Sequence, residues 1–148
     1  MISDSETNFI FFSSILAKNN KYAKFWSELK STLNDNDVNY GLLEQTKDIW
    51  CRDYMPIQIA ENEFVEYIYQ PDYLQTKANL KCQTNPELVC THMGLTTKKF
   101  DLKIDGGNVI KYKNSVILTD KILVENQTHY TKEQIIENHN GFLESLRH

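Results

Sequence analysis

The sequence has 148 residues, of which 41% are apolar, and a formal net charge of −4. A chain of this length buries roughly 68–70% of its unfolded surface, which is enough for one ordinary core, so we expect a single domain over residues 1–148. The basic residues are scattered among a larger number of acidic ones, which argues against nucleic acid and anionic membranes as partners. Three cysteines, an odd number without a Cys-x-x-Cys pair, indicate a reducing cytoplasm.

The amino-terminal part of the chain predicts a strand, a helix and a second strand. The run from Phe9 to Ile15 is short, continuous and apolar, which predicts an interior strand. From Tyr22 to Leu33, apolar residues recur at steps of three and four, as in an amphipathic helix, and the polar segment from Asn34 to Asp37 ends it. Val38 to Leu43 predicts a second strand. Such a strand, helix, strand unit builds parallel pairs.

The middle of the chain predicts a hairpin and then a short helix. Ile57 to Ile59 and Phe64 to Tyr69 are strand-like and flank a polar turn, which predicts the hairpin. The dipeptide Asn85-Pro86 is a typical helix start, and Gly94 can end that helix. The intervening segment from Asp72 to Lys81 gives no clear pattern.

The last third of the chain predicts a strand, a second hairpin and a closing helix. Between Phe100 and Asp105, apolar and charged side chains alternate as along a strand, and Gly106-Gly107 breaks it. Asn108 to Tyr112 and Ser115 to Leu118 predict the hairpin. The segment from Thr131 to Gln134 matches a capping box, and the apolar residues of the helix that it starts are Ile135, Ile136, Phe142, Leu143 and Leu146. The alternation of strands and helices predicts an α/β fold.

The densest polar group is Asp48-Ile49-Trp50-Cys51-Arg52-Asp53, shortly before Pro56. A proline that ends regular structure is a common neighbour of loop-borne sites. A carboxylate can accept two parallel N–H bonds from a planar guanidinium, and an indole can stack on it, so Asp53 with Trp50 would form a guanidinium clamp. The alternative is that Arg52 pairs with Asp48 or Asp53 and that Trp50 belongs to the core.

A second polar group, Asp105-Gly106-Gly107-Asn108, follows a predicted strand. Two glycines permit a positive φ or a close backbone approach, and an acid at the end of a buried strand can orient a histidine by accepting its ring N–H. The alternative is an ordinary tight turn, for which Asp-Gly is a common pair.

Other polar residues are weaker candidates. Cys51 has no histidine near it in sequence, so a buried small residue is the preferred interpretation over a nucleophile. No histidine stands in a metal-ligand pattern, so no metal site is expected. Tyr67, Tyr69 and Tyr73, near Asp72, either line a pocket or pack on the sheet.

Read together, the order Asp-x-Trp-x-Arg-Asp-x-x-Pro followed by an acid-Gly-Gly-Asn motif resembles the agmatine deiminases and bacterial peptidylarginine deiminases. The resemblance covers most of the chain. It implies a pentein, an α/β propeller of five ββαβ modules with the active site at its centre, of which this chain forms roughly the first two modules. It also implies hydrolysis of a guanidine to a ureido group and ammonia, as from agmatine to N-carbamoylputrescine, without a metal or an organic cofactor.

The same resemblance implies roles for individual residues. Asp53 would hold the nitrogens of a small guanidinium substrate such as agmatine or arginine, beside Trp50. Asp105, where relatives often have glutamate, would be the acid that orients the catalytic histidine. The residues implied in substrate binding or in support of the pocket are Trp50, Asp53, Asp48, Arg52 and Asn108.

The resemblance also identifies two features that the sequence lacks. Relatives carry a His-x-Asp or His-x-Glu pattern and a late cysteine, whereas no histidine here has an acid at the second following position. Because the reaction begins with thiolate attack and uses histidine as an acid, we expect the isolated chain to be inactive. The open edges of an incomplete ring predict self-association.

Two other functions stay open at this point. Dimethylarginine hydrolases and amidinotransferases also use a carboxylate-lined guanidinium pocket. A non-catalytic guanidinium-binding or structural half-propeller module would keep the clamp without turnover.

Overall fold

A computed structural model describes residues 6–112 and 115–137 of the chain. The strands are β1 Ile10–Ser13, β2 Tyr40–Leu43, β3 Ile57–Ala60, β4 Glu63–Ile68, β5 Thr97–Lys103, β6 Val109–Tyr112 and β7 Ser115–Leu118. The helices are α1 Ile15–Lys18, α2 Ala23–Asp35, α3 Cys51–Tyr54, α4 Pro86–Met93 and α5 Lys121–Asn126, and residues 132–137 are also helical. In this described part the strands form three small sheets and no closed barrel. The α/β fold class is therefore confirmed at this level.

The predicted strand, helix, strand unit is present at the start of the chain. β1 and β2 pair in parallel, with Ile10 opposite Tyr40, and α2 connects them. The ring of Phe12 on β1 meets Trp26 of α2 edge-on, with centroids 6.0 Å apart. This aromatic contact holds the helix against one face of the small sheet.

The prediction that β1 is an interior strand is wrong. Phe9, Ile10 and Phe11 are 45%, 43% and 43% exposed, because α2 covers one face of a sheet that has two strands in the described part of the chain. On the open face, the rings of Phe9 and Phe11 lie over Gly41, where a Cβ would stand 3.1 Å and 3.0 Å from them. The strand also ends at Ser13, before Ile15, because the chain turns there into α1.

The second sheet has the order β3-β4-β5 and contains the predicted hairpin. β3 is antiparallel to β4, β4 is parallel to β5, and α4 makes the crossover between the parallel pair. The predicted ends of α4 are confirmed: the Asn85 side chain accepts the N–H of Glu87 at 3.0 Å, and Gly94 closes the helix with a φ of 70°. Residues 57–103 thus have the order ββαβ.

The main core lies between this sheet, the hairpin β6-β7 and the helices after it. Its buried members are Ile57, Ile59, Val65, Tyr67, Leu102, Ile104, Val109 and Ile135. Leu102 and Ile104 lie on the apolar side of the alternation predicted after Phe100, while Asp101 on the opposite side is exposed. The second predicted hairpin is also present, with Val109 opposite Leu118; its turn, at residues 113–114, lies outside the described residues.

The helix α5 was not predicted from the sequence, and a buried asparagine attaches it to the sheet. The side-chain amide of Asn126 donates to the carbonyls of Lys103 and Ile122 at 2.8 Å each. Its side-chain oxygen accepts the Lys103 N–H, also at 2.8 Å. The two hydrogen bonds to Lys103 thus fix the end of α5 against the end of β5, and the third, to Ile122, lies within α5.

The capping box predicted at residues 131–134 is confirmed. The Thr131 N–H donates to the Gln134 side chain at 2.9 Å, and the Gln134 N–H donates to the Thr131 hydroxyl at 3.3 Å. Phe142, Leu143 and Leu146, predicted for the same helix, lie outside the described residues. Within 6–112 and 115–137, none of the helices has the length and apolar character that crossing a bilayer requires.

Candidate functional site

The two polar groups selected from the sequence lie next to each other in the fold. The first ends in the short helix α3, and the second folds as a 3-10 turn, Gly106–Asn108, that contacts α3. The guanidinium of Arg52 donates to the Val109 carbonyl at 2.6 Å. A Cβ on Gly106 would overlap the Arg52 carbonyl and the Tyr67 hydroxyl, so a glycine is required for this close backbone approach.

Gly107 allows two carboxylates to converge. A Cβ at this position would stand 2.5 Å from Asp53 Oδ1 and 3.3 Å from Asp105 Oδ1. The Gly107 N–H instead faces both acids: it donates to Asp105 Oδ1 at 3.2 Å and also to the Asp53 carboxylate. The interpretation of Asp105-Gly106-Gly107-Asn108 as an ordinary tight turn is therefore incomplete, because Gly107 also lets the Asp53 and Asp105 carboxylates approach each other.

Asp53 and Asp105 form an interacting carboxyl pair. Burial, the charge of Asp105 and a hydrogen bond to the Asp105 carboxylate together raise the pKa of Asp53 from 3.8 to about 6. Neighbouring carboxylates resist ionising together, so Asp53 keeps its proton to a higher pH than an isolated aspartate does, unless a cation takes the place of that proton.

Tyr67 holds the backbone of α3 in position below this pair. Its buried hydroxyl lies 2.9 Å from the Asp53 carbonyl and 3.0 Å from the Met55 carbonyl and donates to both. Burial, and then the charges of Asp105 and Asp53, raise the pKa of Tyr67, so the hydroxyl remains a donor. Tyr67 is therefore a structural support, and together with Tyr69 it also lines an open cleft of about 420 Å³.

Lys121, at the start of α5, places an ammonium beside the pair. Its Nζ lies 3.7 Å from Asp105 Oδ2 and 3.7 Å from Asp72 Oδ1. It also lies 5.2 Å from the centre of the Tyr73 ring, which is within the range of a cation–π contact. Of the three tyrosines considered above, Tyr73 is the one that faces this site, while Tyr69 is buried.

Glu125 lies one helical turn after Lys121 on α5. Its side chain is 9% exposed, and its Oε1 stands 3.4 Å from Lys121 Nζ. That oxygen makes no hydrogen bond with the described residues, and burial raises the pKa of Glu125. Lys121 and Glu125 were not selected as site residues from the sequence. The one feature that could have linked them is their i, i+4 spacing on a helix.

Trp50 lies neither in the core nor in the Lys121 cluster. Its side chain is 67% exposed and lines an open cleft of about 890 Å³ together with Asp48. The interpretation of Trp50 as a core residue is therefore wrong. Asp48 supports the loop, because its Oδ1 accepts the Trp50 N–H at 2.8 Å. Burial raises the pKa of Asp48, against the effect of its hydrogen bonds from Trp50 and Thr84.

Asn108 closes its motif through the backbone. Its N–H donates to the Asp105 carbonyl at 2.8 Å, and it lines a small cavity of about 10 Å³ with Asp105 and Glu125. Asn108, the last residue of the motif, therefore lies directly beside Asp105.

Cys51 has the properties of a structural residue. Its sulfur lies 3.2 Å from the Tyr54 hydroxyl, and burial raises the pKa of its thiol, which leaves little thiolate at neutral pH. Residues 6–112 and 115–137 contain no group of three or more His, Cys, Asp or Glu side chains placed to hold a metal ion.

Comparison of the chain with known protein families gives no match, and comparison with curated proteins gives none either.

Proposed function

We propose that this chain carries the guanidinium-recognising part of a guanidine deiminase site, of the kind found in agmatine and peptidylarginine deiminases. The observation that carries the proposal is the convergence of Asp53 and Asp105. These acids come from the two motifs on which the resemblance was based, and nothing in their separate sequences requires them to meet.

The chemistry of the pair suits a planar cation. When ionised, Asp53 and Asp105 can each accept N–H bonds from one guanidinium, and charge-assisted bonds of this kind are among the stronger hydrogen bonds. The Tyr73 ring offers a face for the cation, so it replaces Trp50 in the clamp that the sequence suggested. A bound cation would also relieve the repulsion between the two carboxylates.

The reaction that we propose converts R–NH–C(NH₂)₂⁺ and water to R–NH–CO–NH₂ and NH₄⁺. A thiolate would attack the guanidinium carbon and a histidine would protonate the leaving ammonia. Burial raises the thiol pKa of Cys51, and that of Cys90 to about 11. We therefore assign recognition and orientation of the guanidinium to Asp53 and Asp105 and no covalent step to Cys51 or Cys90, and we expect the chain alone to be inactive.

We further propose that the fold is part of a propeller of ββαβ modules. The order ββαβ over residues 57–103 supports this, as do the βαβ unit before it and the hairpin and helix after it. In a propeller the exposed apolar face around Phe9 and Phe11 would be covered by a neighbouring module or a second copy of the chain.

The test is a titration of the protein with agmatine and with arginine, followed by backbone amide NMR shifts. We expect saturable shifts centred on Gly106 and Gly107. Because a cation must displace the proton of Asp53, affinity should rise as the pH increases through about 6 and level off above it.

Two variants make the titration specific. Asp53→Asn should abolish the shifts, whereas Glu61→Gln, which removes an equal charge from an exposed turn, should leave them unchanged. Absence of saturable shifts at millimolar ligand would overturn the proposal. A binding module without catalysis would instead bind guanidines and still give no ureido product when supplied with a thiol-bearing partner chain.

A further inference from the structure

Lys121 occupies the position that a ligand cation would take. Its ammonium contacts Asp105 at 3.7 Å and lies over the Tyr73 ring at 5.2 Å. An acid and an aromatic face are the same two features assigned above to guanidinium binding. The described structure therefore already has a cation at this place, supplied by its own chain.

The ammonium is held loosely. It is shared among three carboxylates at distances of 3.4 Å to 3.7 Å, which is long for a charge-assisted hydrogen bond. The side chains of Lys121 and Asp72 are 30% and 75% exposed, and ion pairs open to solvent contribute little free energy, whereas the side chains of Asp105 and Glu125 are 11% and 9% exposed. An incoming cation has to replace one long contact, between Lys121 Nζ and Asp105 Oδ2 at 3.7 Å.

Two of the three carboxylates, Asp72 and Glu125, are not members of the Asp53–Asp105 pair and can retain the ammonium. Asp72 is exposed, and its Oδ1 is 3.7 Å from Lys121 Nζ. Glu125 is on the same helix, its side chain is nine-tenths buried, and its Oε1 lies 3.4 Å from Lys121 Nζ without meeting hydrogen-bond geometry. Lys121 can thus leave Asp105 and remain paired.

We propose that Lys121 is an internal cation of the carboxylate site, which a guanidinium displaces from Asp105 toward Asp72 on binding. This inference rests on the proposed function. An intramolecular competitor acts like a ligand at about millimolar concentration. Lys121 therefore lowers the apparent affinity of every competing cation in proportion to the fraction of sites that it leaves open.

The experiment is an agmatine titration, followed by NMR, of the full chain and its Lys121 variants. Lys121→Met and Lys121→Gln should each bind agmatine about three- to fivefold more tightly, the range expected when a partly exposed ion pair of long N–O distance is removed. Lys121→Arg should bind it more weakly than the unmodified chain, because a guanidinium side chain can bond to a carboxylate through two N–H groups. Lys30→Met, an equal change of charge on the exposed side of α2, should have no effect.

Asp72→Asn tests the second position of the ammonium. It keeps the oxygen that accepts the Tyr73 N–H at 2.8 Å, so the local turn should persist. We expect weaker agmatine binding when Lys121 is present and a smaller loss in the Lys121→Met background, since the coupling acts through the lysine.

Two outcomes would overturn the inference. If the unmodified chain and both neutral Lys121 variants bind agmatine equally, Lys121 is not a competitor, although guanidinium recognition stands. If none of them binds, the proposed function fails together with the inference.

Discussion

Replacing Asp53 with asparagine should stabilise the protein at pH 8 while removing cation binding. The pKa of Asp53 in the folded state is about 6 against an ordinary value of 3.8, so the folded state binds more protons than the unfolded state between these values. Stability is therefore lost as the pH rises through this window and stays lower above it. A neutral side chain at position 53 does not incur this loss.

The expected change in the free energy of unfolding follows from the size of the Asp53 pKa shift. A change of about two pKa units corresponds to ~3 kcal/mol. Asp53 is half-buried, and screening by solvent reduces this to ~1 kcal/mol. Asparagine also keeps an oxygen for the Gly107 N–H and gains a donor toward Asp105, so no buried polar group loses its partner.

Urea denaturation followed by circular dichroism measures this effect. At pH 8 we expect the free energy of unfolding of Asp53→Asn to exceed that of the unmodified chain by ~1 kcal/mol, and at pH 4 the difference should fall toward zero. Glu61→Gln should show no difference at either pH. A loss of stability at pH 8 in Asp53→Asn would mean that Asp53 sits in a favourable ion pair, and the account of the carboxyl pair would be wrong.

Four further substitutions or reactions test the surroundings of the site. Tyr67→Phe removes a buried donor from two carbonyls and should cost ~1–2 kcal/mol in urea denaturation. Gly107→Ala places a Cβ against the Asp53 carboxylate, so agmatine shifts should disappear while circular dichroism keeps its native form. Asn126→Ala leaves backbone groups at the end of β5 without partners and should cost about 2–3 kcal/mol by the same denaturation assay. Iodoacetamide should alkylate Cys51 more slowly than the exposed Cys82 at pH 8, as followed by mass spectrometry, and equal rates would contradict a raised thiol pKa at Cys51.

The elements that the sequence predicted correctly depend on contacts between near neighbours. The Asn85 cap, the Gly94 stop and the capping box at residues 131–134 each involve residues at most a few positions apart. The same holds for the two hairpins, in which alternating side chains flank a polar turn. Local chemistry was sufficient to identify these elements.

The incorrect predictions of the fold concern contacts between distant parts of the chain. The exposure of Phe9 to Phe11 depends on which sheet face α2 covers, and the apolar pattern of a single strand does not contain that information. The helix α5 was missed because it has six residues and Asp120 at its start makes no side-chain cap. Its position depends on Asn126 and β5, which are distant from each other in sequence.

The same distinction between local contacts and contacts of distant residues applies to the candidate site. Both motifs could be selected as polar groups near structure-breaking residues, and each carries one acid of the pair. The cation beside them could not be predicted, because Lys121 reaches Asp105 only when α5 lies against the end of β5. The position of Tyr73 has the same origin, because the tertiary fold determines which aromatic ring lies beside Lys121.

Asn126 has a consequence for assembly. Within the described residues β5 is an outer strand of its sheet, and such strands recruit other chains through their unpaired backbone groups. The amide of Asn126 engages both the N–H and the carbonyl of Lys103, as a neighbouring strand would. An added strand can therefore extend along β5 no further than Leu102, and loss of this amide would lengthen the surface open to aggregation.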